Sequence, residues 1–149
     1  QIDGVFKTPV ALLATGIVRF GFLDSLTAAA VTDGCYINMD GTGQITGVNS
    51  NNTATSATAV ITTLAANTWY HFRVLVNSDA TSIQYTVYSD TGTEIATAAL
   101  TTNIPASTRT TGAGFVAHST GTTASDIINV DLIEVSFGST DQVNRGART

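Results

Sequence analysis

Three side chains of one predicted strand, Trp69, His71 and Arg73, form the strongest candidate binding surface in this sequence. Residues two apart on a strand share a face. The alternate positions form the more continuous apolar stripe and are predicted to face the core: Tyr70, Phe72, Val74 and Val76. An indole stacks on the apolar face of a sugar ring, and a guanidinium donates to hydroxyls. We therefore predict that these side chains form a subunit contact or a plain exposed face, and we rank a glycan contact as the second hypothesis.

Carboxylates near the end of the chain are the remaining candidates for catalysis. Asp126, Asp131 and Glu134 belong to the last predicted strand. A glycosidase needs two carboxyl groups facing each other across a cleft. The spacings place at most one pair on a single face, and Asp131 and Glu134 point to opposite faces of a regular strand. We interpret them as solvated charges and expect no enzymatic activity and no catalytic residue.

The other polar residues are explained by turns and packing. Aspartate side chains cap turn backbones, and no loop supplies three carboxylates at EF-hand spacing, so we expect no metal site. The single cysteine, Cys35, cannot form an internal disulfide, and its strand-like surroundings predict a small buried side chain. No phosphate-binding loop or nucleophile elbow occurs, and no cofactor is expected. The aspartates in predicted turns are Asp24, Asp33, Asp40, Asp79 and Asp90.

Alternation of apolar and polar residues predicts the strands that position these side chains. It is clearest at Trp69–Val76 and at residues 82–88, which a short polar turn separates. Strand signals recur roughly every eight to twelve residues, as in sandwiches and barrels. The sequence therefore predicts an all-β, antiparallel two-sheet β-sandwich, and the strand count with long crossing loops favours a jelly roll. Further strands are predicted near residues 4–8, 17–23, 34–40, 44–48, 57–63, 94–100, 114–119 and 127–137, with longer loops at 24–33, 49–56 and 101–113.

Composition limits the possible partners. The chain of 149 residues fits a single domain over residues 1–140, followed by a polar tail at 141–149. Charged residues make up 11%, against roughly 25% in typical soluble proteins. The net charge is −5 and the six cations are scattered, so no basic face is available for nucleic acid. No apolar run is long enough to predict a membrane span.

An ordered series of short motifs resembles a known family over most of residues 17–137. The series resembles the concanavalin A-like (laminin-G-like) jelly-roll domains in structural proteins of tailed bacteriophages. The resemblance implies a fibre, spike or capsid-surface protein, and it brings no catalytic or binding motif. In that family Trp69, Tyr70, Asn77, Asp79 and Gly92 correspond to core and turn positions. The motifs are Arg19-Phe20-Gly21-Phe22-Leu23-Asp24-Ser25, Thr32-Asp33-Gly34-Cys35-Tyr36-Ile37, Asn67-Thr68-Trp69-Tyr70, and residues 76–82, 100–105 and 112–115.

These observations together predict a non-enzymatic virion structural protein located at the virion surface or otherwise outside the cell. It would assemble with copies of itself or with other virion proteins, and one face could contact host cell-surface glycans. A secreted carbohydrate-binding module remains an alternative, as does a subunit of an extracellular filament built by strand addition. Members of the resembled family carry a β-rich stretch before the position of Ile2. Either an upstream segment of the same polypeptide completes the jelly roll, or the fold is completed differently.

Overall fold

The computed structural model describes residues 1–10, 16–27, 30–119 and 128–136, and all regular structure within these ranges is β-strand. Alternating segments such as Trp69–Val76 become strands that bury one face and leave the other partly exposed, whereas residues 34–37 are buried on both faces. The strands are β1 (Ile2–Lys7), β2 (Gly16–Leu23), β3 (Gly34–Asp40), β4 (Gln44–Asn51), β5 (Ala54–Ala57), β6 (Thr62–Thr63), β7 (Trp69–Val76), β8 (Ile83–Ser89), β9 (Glu94–Leu100), β10 (Gly112–Ser119) and β11 (Asn129–Val135).

The strands form two antiparallel sheets. The five-stranded sheet has the order β11-β1-β7-β8-β9, and the six-stranded sheet has the order β10-β2-β3-β4-β5, with β6 paired to β4. Every strand pair is antiparallel. The prediction of an all-β, antiparallel two-sheet β-sandwich is therefore confirmed, and its finer assignment as a jelly roll stays a prediction.

The core lies between the two sheets and is built from alternate residues of each strand. Phe6 and Phe72 stack on neighbouring strands with ring centroids 4.1 Å apart, and the ring of Phe115 meets Phe6 edge-on at 5.4 Å. Because the two inner faces interdigitate, these side chains fill the space that a sandwich needs to close. The most deeply buried apolar residues are Ile2, Phe6, Phe72, Val74, Ile83, Tyr85 and Val87 of the five-stranded sheet and Phe20, Ile37 and Ile45 of the six-stranded sheet.

Two glycines let aromatic rings cross from one sheet to the other. A Cβ added at Gly4 would lie 2.6 Å from the ring of Phe20, and one at Gly47 would overlap the ring of Tyr85. Each sheet thus supplies a glycine beneath a ring of the opposite sheet. The side chain of Tyr85 is fully buried. Its hydroxyl donates a hydrogen bond to the carbonyl of Val48 at 2.9 Å, so the buried polar group has a partner.

The predicted elements between β4 and β6 were wrong in part. The expected loop at residues 49–56 is instead the end of β4, a tight turn and β5, whereas the expected strand at 57–63 is reduced to the end of β5 and the short β6. Asn52 and Thr53 form the turn with φ of 50° and 72°, and the Asn52 amide donates to Oδ1 of Asp33 at 2.8 Å. Asn51 and Asn52 are a local signal for this turn, because asparagine tolerates positive φ. The predicted tail at 141–149 lies outside the described residues.

Candidate functional site

The candidate residues Trp69, His71 and Arg73 lie on the outer face of β7. The intervening residues Tyr70 and Phe72 point into the core, with exposed fractions of 8% and 0%. In the antiparallel register, Trp69 lies opposite Lys7 of β1, and Arg73 lies opposite Asp3. All three side chains are partly buried rather than fully exposed. The structure therefore places them on one surface, and their role in binding stays a prediction.

Asp3 on β1 connects two of these side chains. Its Oδ1 accepts a hydrogen bond from Nε of Arg73 at 2.8 Å and lies 3.0 Å from Nε2 of His71. The side-chain amide of Gln1 donates to Oδ2 of the same carboxylate. Burial by itself would raise the pKa of Asp3, but the hydrogen bonds from Gln1, Arg73 and His71, with the charge of Arg73, hold this pKa below its usual value. The carboxylate is therefore a fixed anion at neutral pH.

Tyr88 of β8 completes the group on the other side of β7. Nη1 of Arg73 donates to the Tyr88 hydroxyl at 3.2 Å, and the guanidinium carbon lies 5.4 Å from the centre of the ring. The His71 ring stacks on Tyr88 with a centroid distance of 5.0 Å. We call Asp3, His71, Arg73 and Tyr88 the Asp3 cluster. Because each member holds another, the cluster presents a preorganised polar and aromatic surface beside Trp69.

Sequence reasoning found only half of the Asp3 cluster. The predicted first strand begins near residue 4 and does not include Asp3, and the sequence pattern predicts a strand for Tyr88 without indicating which face its side chain occupies. A signal did exist for Asp3, because an acidic residue between Ile2 and Gly4 in a strand-like segment must face away from the core. The pairing of β1 with β7 joins residues about seventy positions apart, and local alternation does not contain it.

Of the acidic candidates at the end of the chain, Glu134 lies opposite Asp3 in the register between β1 and β11. Neither Asp131 nor Glu134 makes an ion pair within the described residues. Asp126 lies outside the described residues, and Asp131 and Glu134 are exposed on β11. The register between β1 and β11 is irregular at Val5 and Phe6, and Asp131 lies in this irregularity without a Cα partner. The opposite-face argument assumed a regular strand and does not apply to Asp131. No group of three or more His, Cys, Asp or Glu that could hold a metal occurs among the described residues.

Cys35 lies on β3 and is buried, with an exposed fraction of 6%. Burial raises the pKa of its thiol to about 12, so the thiolate is scarce at neutral pH. His118 lies on β10, in the sheet opposite the one that carries His71. Within the described residues, no helix has the length and apolarity needed to cross a membrane.

The fold and the site define a two-sheet β-sandwich module with a polar and aromatic cluster on one outer face. The model of a family described as "SO2946-like, C-terminal domain" matches residues 1–131. The chain therefore belongs to the SO2946-like C-terminal domain family.

One solved structure similar to the chain is the crystal structure of a protein of unknown function, SO2946, from Shewanella oneidensis MR-1. The TM-score is 0.71 at 25% sequence identity, and the similarity covers 89% of this chain and 54% of that protein. The chain thus spans about half the length of that protein. No curated protein matches the chain. Neither description mentions phages or carbohydrates, so the resemblance to phage domains stays a prediction.

Proposed function

We propose that the chain is a non-enzymatic structural module at the surface of a tailed-phage virion. In this proposal it assembles with copies of itself or with other virion proteins through the five-stranded sheet. The observation that carries the proposal is the character of β11. This strand is an edge of the five-stranded sheet among the described strands and pairs only with β1.

Apolar side chains on β11 distinguish this edge from an ordinary protected one. Val130, Leu132 and Ile133 are 43%, 44% and 44% exposed. An edge strand offers unpaired backbone groups, and exposed apolar side chains add area that a neighbouring strand can bury. Asp131 interrupts these apolar residues and Glu134 follows them, and both charges would limit unspecific pairing. This pattern supports an edge that accepts a selected partner.

The low charge of the whole chain supports the same proposal. Only 11% of residues are charged, and the centres of protein interfaces are depleted in Lys, Glu and Asp. A small domain with few charges has little electrostatic repulsion between copies. Assembly is therefore compatible with much of its surface.

Light scattering across a concentration series tests assembly through β11. We expect a concentration-dependent oligomer that is weakened by Leu132→Lys or Ile133→Lys, because a buried lysine at the edge opposes pairing. The matched control is Val60→Lys, since Val60 is 49% exposed and lies between β5 and β6, away from β11. A monomer at every concentration, or equal effects of all three substitutions, would contradict assembly through this edge.

The location in a virion needs a separate test. Antibodies raised against the folded chain should label the surface of purified phage particles from the source, and cross-linking should connect the chain to tail or capsid proteins. Recovery of the protein only from particle-free fractions would contradict the virion role and favour the secreted module.

Glycan contact is the second candidate function, and the partly exposed Trp69 beside the Asp3 cluster favours it. The indole can stack on a sugar ring, while the guanidinium of Arg73 is held at a fixed position by Asp3. Trp69 is the single tryptophan of the chain, so its emission reports directly on this surface.

A glycan array followed by fluorescence titration tests the glycan contact. A ligand at this face should shift Trp69 emission, and Arg73→Gln should weaken its binding. Arg19→Gln is the matched control, because Arg19 lies on β2 in the opposite sheet. A ligand that leaves the Trp69 emission unchanged at saturation binds elsewhere on the protein. An array on which no glycan binds would contradict the glycan contact.

A further inference from the structure

A cavity of about 660 Å³ opens at one end of the sandwich. It lies between the turn that joins β7 to β8 and the segment that leads from β9 to β10. This volume falls in the range of roughly 300–1,000 Å³ typical of small-ligand sites. The cavity is separate from the Asp3 cluster, none of whose members lines it.

The floor of the cavity is apolar and reaches the core. Ile83 is fully buried and Cys35 is nearly so, and Phe22, Val76 and Ile104 are partly buried residues that pack against the core cluster. All five line the cavity. A ligand seated here would place an apolar body against the open end of the hydrophobic core, where its burial is favourable.

Arg109 provides the charged contact at the cavity wall. Arg109 is the one Lys or Arg among the residues that line the cavity, and no Asp or Glu lines it. Its position is set by a turn in which the Arg109 amide donates to the carbonyl of Ala106 at 2.8 Å. Nη1 lies 3.6 Å from Oδ2 of Asp33, which is longer than a hydrogen bond. A guanidinium has five N–H donors, so this single long contact leaves donors for a ligand.

The segment that carries Arg109 is anchored before it reaches the cavity. The side-chain amide of Asn49, a fully buried residue of β4, donates to the carbonyl of Thr102 at 2.9 Å. The Asn103 side chain donates to Oγ of Ser56 at 2.8 Å. Ile104 then packs against the core. Anchoring of this kind reduces the ordering cost of binding, because the wall is positioned before a ligand arrives.

We propose that this cavity binds a small amphiphile that has an apolar chain or ring and one anionic head group. The apolar body lies on the floor formed by Phe22, Cys35 and Ile83, and the head group pairs with the guanidinium of Arg109. This binding site is independent of the virion role and of the glycan contact.

Fluorescence of 8-anilinonaphthalene-1-sulfonate, an aromatic ring system with one anionic group, provides the first probe. Its emission should rise on binding to the native chain, and decanoate should displace it at concentrations below the micelle point. The neutral analogue 1-decanol should compete more weakly, because it fills the floor without a charge for Arg109.

Two variants separate the head-group contact from the floor. Arg109→Gln should weaken decanoate binding by about tenfold or more and leave 1-decanol unchanged, because a hydrogen bond to a charged group is lost. Ala106→Trp should weaken both ligands, since Ala106 lines the opening and is exposed. The control is Ala99→Trp, an exposed position on β9 that does not line the cavity.

Three results would overturn the inference. Decanoate that fails to displace the probe excludes the ligand class. Equal weakening of decanoate and 1-decanol by Arg109→Gln excludes the head-group contact. Unchanged binding in Ala106→Trp places the ligand outside the cavity. Thermal unfolding of each variant verifies that the substituted chain is folded. If Arg109→Gln does not fold, Ala106→Trp still tests whether the ligand binds in the cavity.

Discussion

The outer faces of the two sheets are built in opposite ways. On the six-stranded sheet a second apolar cluster is buried outside the main core, and its members are Leu23, Val31, Tyr36, Val48 and Val116. Val31 comes from the loop that follows β2 and lies over the sheet. Ser50 holds this loop in position, because its hydroxyl lies 3.0 Å from the carbonyl oxygen of Val31 and 2.9 Å from that of Thr32.

The outer face of the five-stranded sheet has no such apolar cover among the described residues. Its central strands carry the Asp3 cluster, whose side chains are held together through Asp3, and the partly buried apolar residues Val5 and Leu75. His71 and Arg73 keep side-chain exposures of 28% and 35%, whereas the five residues of the covered cluster are each at most 7% exposed.

This difference indicates which face is available for recognition. A face that the chain covers with its own loop must lose native contacts before it can bind anything. A face whose polar groups satisfy one another remains stable while exposed, and it can meet a partner without rearrangement. The five-stranded sheet is therefore the better surface for assembly or glycan contact, and the six-stranded sheet is expected to be structural.

Matched leucine substitutions test this contrast with the largest expected effect. Leu23 belongs to the outer face of β2 and is 3% exposed, while Leu132 belongs to the outer face of β11 and is 44% exposed. Leu23→Ala should lower the free energy of unfolding by about 2–4 kcal/mol, because it leaves a cavity in a packed cluster. At concentrations where the chain is monomeric, Leu132→Ala should cost no more than about 0.5 kcal/mol, as at an ordinary surface position.

Urea denaturation of the two variants measures both values. Near-equal losses would contradict the distinction between a covered and an open face. A large loss for Leu132→Ala alone would show that β11 is buried in the purified protein, as expected if the chain assembles through that edge.

The second prediction concerns Asp3, the centre of the open face. Asp3→Asn keeps the shape of the side chain but removes the charge that fixes Arg73 and His71. We expect a loss of about 1.5–3 kcal/mol at neutral pH, the range for hydrogen bonds to charged groups. The control is Asp131→Asn, since Asp131 is exposed on β11 and makes no ion pair within the described part of the chain. Equal effects of the two substitutions would contradict a central role for Asp3.

The pH dependence of the same variant gives a third prediction with a definite sign. The folded-state pKa of Asp3 is lowered from 3.8, so the unfolded chain binds the proton first as the pH falls. The stability advantage of the native chain over Asp3→Asn should be full well above pH 3.8 and should shrink as the pH falls through and below that value. Denaturation series at neutral and acidic pH measure the two curves. An advantage that grows on acidification would contradict the lowered pKa.

The sequence predicted the strands well and the relations between distant strands poorly. Alternation located β7 at its observed bounds, because this strand has one buried and one partly exposed face along its length. The bounds of β3 were also predicted correctly, although residues 34–37 are buried on both faces. Alternation failed at residues 57–63, where only Ala57, Thr62 and Thr63 belong to strands, so no continuous period is enforced. The same limit applies to the site, since Trp69, His71 and Arg73 lie on one strand but Asp3 reaches them only through long-range pairing. The cavity depends on how the segment after β9 crosses the end of the sandwich, and no local motif contains that information.

The smallest predicted effect tests whether the Asp3 cluster acts as a unit. Tyr88→Phe removes the hydroxyl that accepts a hydrogen bond from Arg73 at 3.2 Å but keeps the ring that stacks on His71. We expect a loss of about 0.5–1.5 kcal/mol in the free energy of unfolding. Tyr36→Phe is the matched control on the covered face, because the Tyr36 hydroxyl makes no hydrogen bond among the described residues. It should change stability by less than Tyr88→Phe does.

Combining Tyr88→Phe with Asp3→Asn completes a double-mutant cycle. Because both side chains contact Arg73, the loss in the double variant should be smaller than the sum of the single losses, by about 0.5 kcal/mol or more. Additive losses would mean that Asp3 and Tyr88 hold Arg73 independently. Each contact would then hold the guanidinium at full strength without the other, so the Asp3 cluster would be a set of separate contacts and not a cooperative unit.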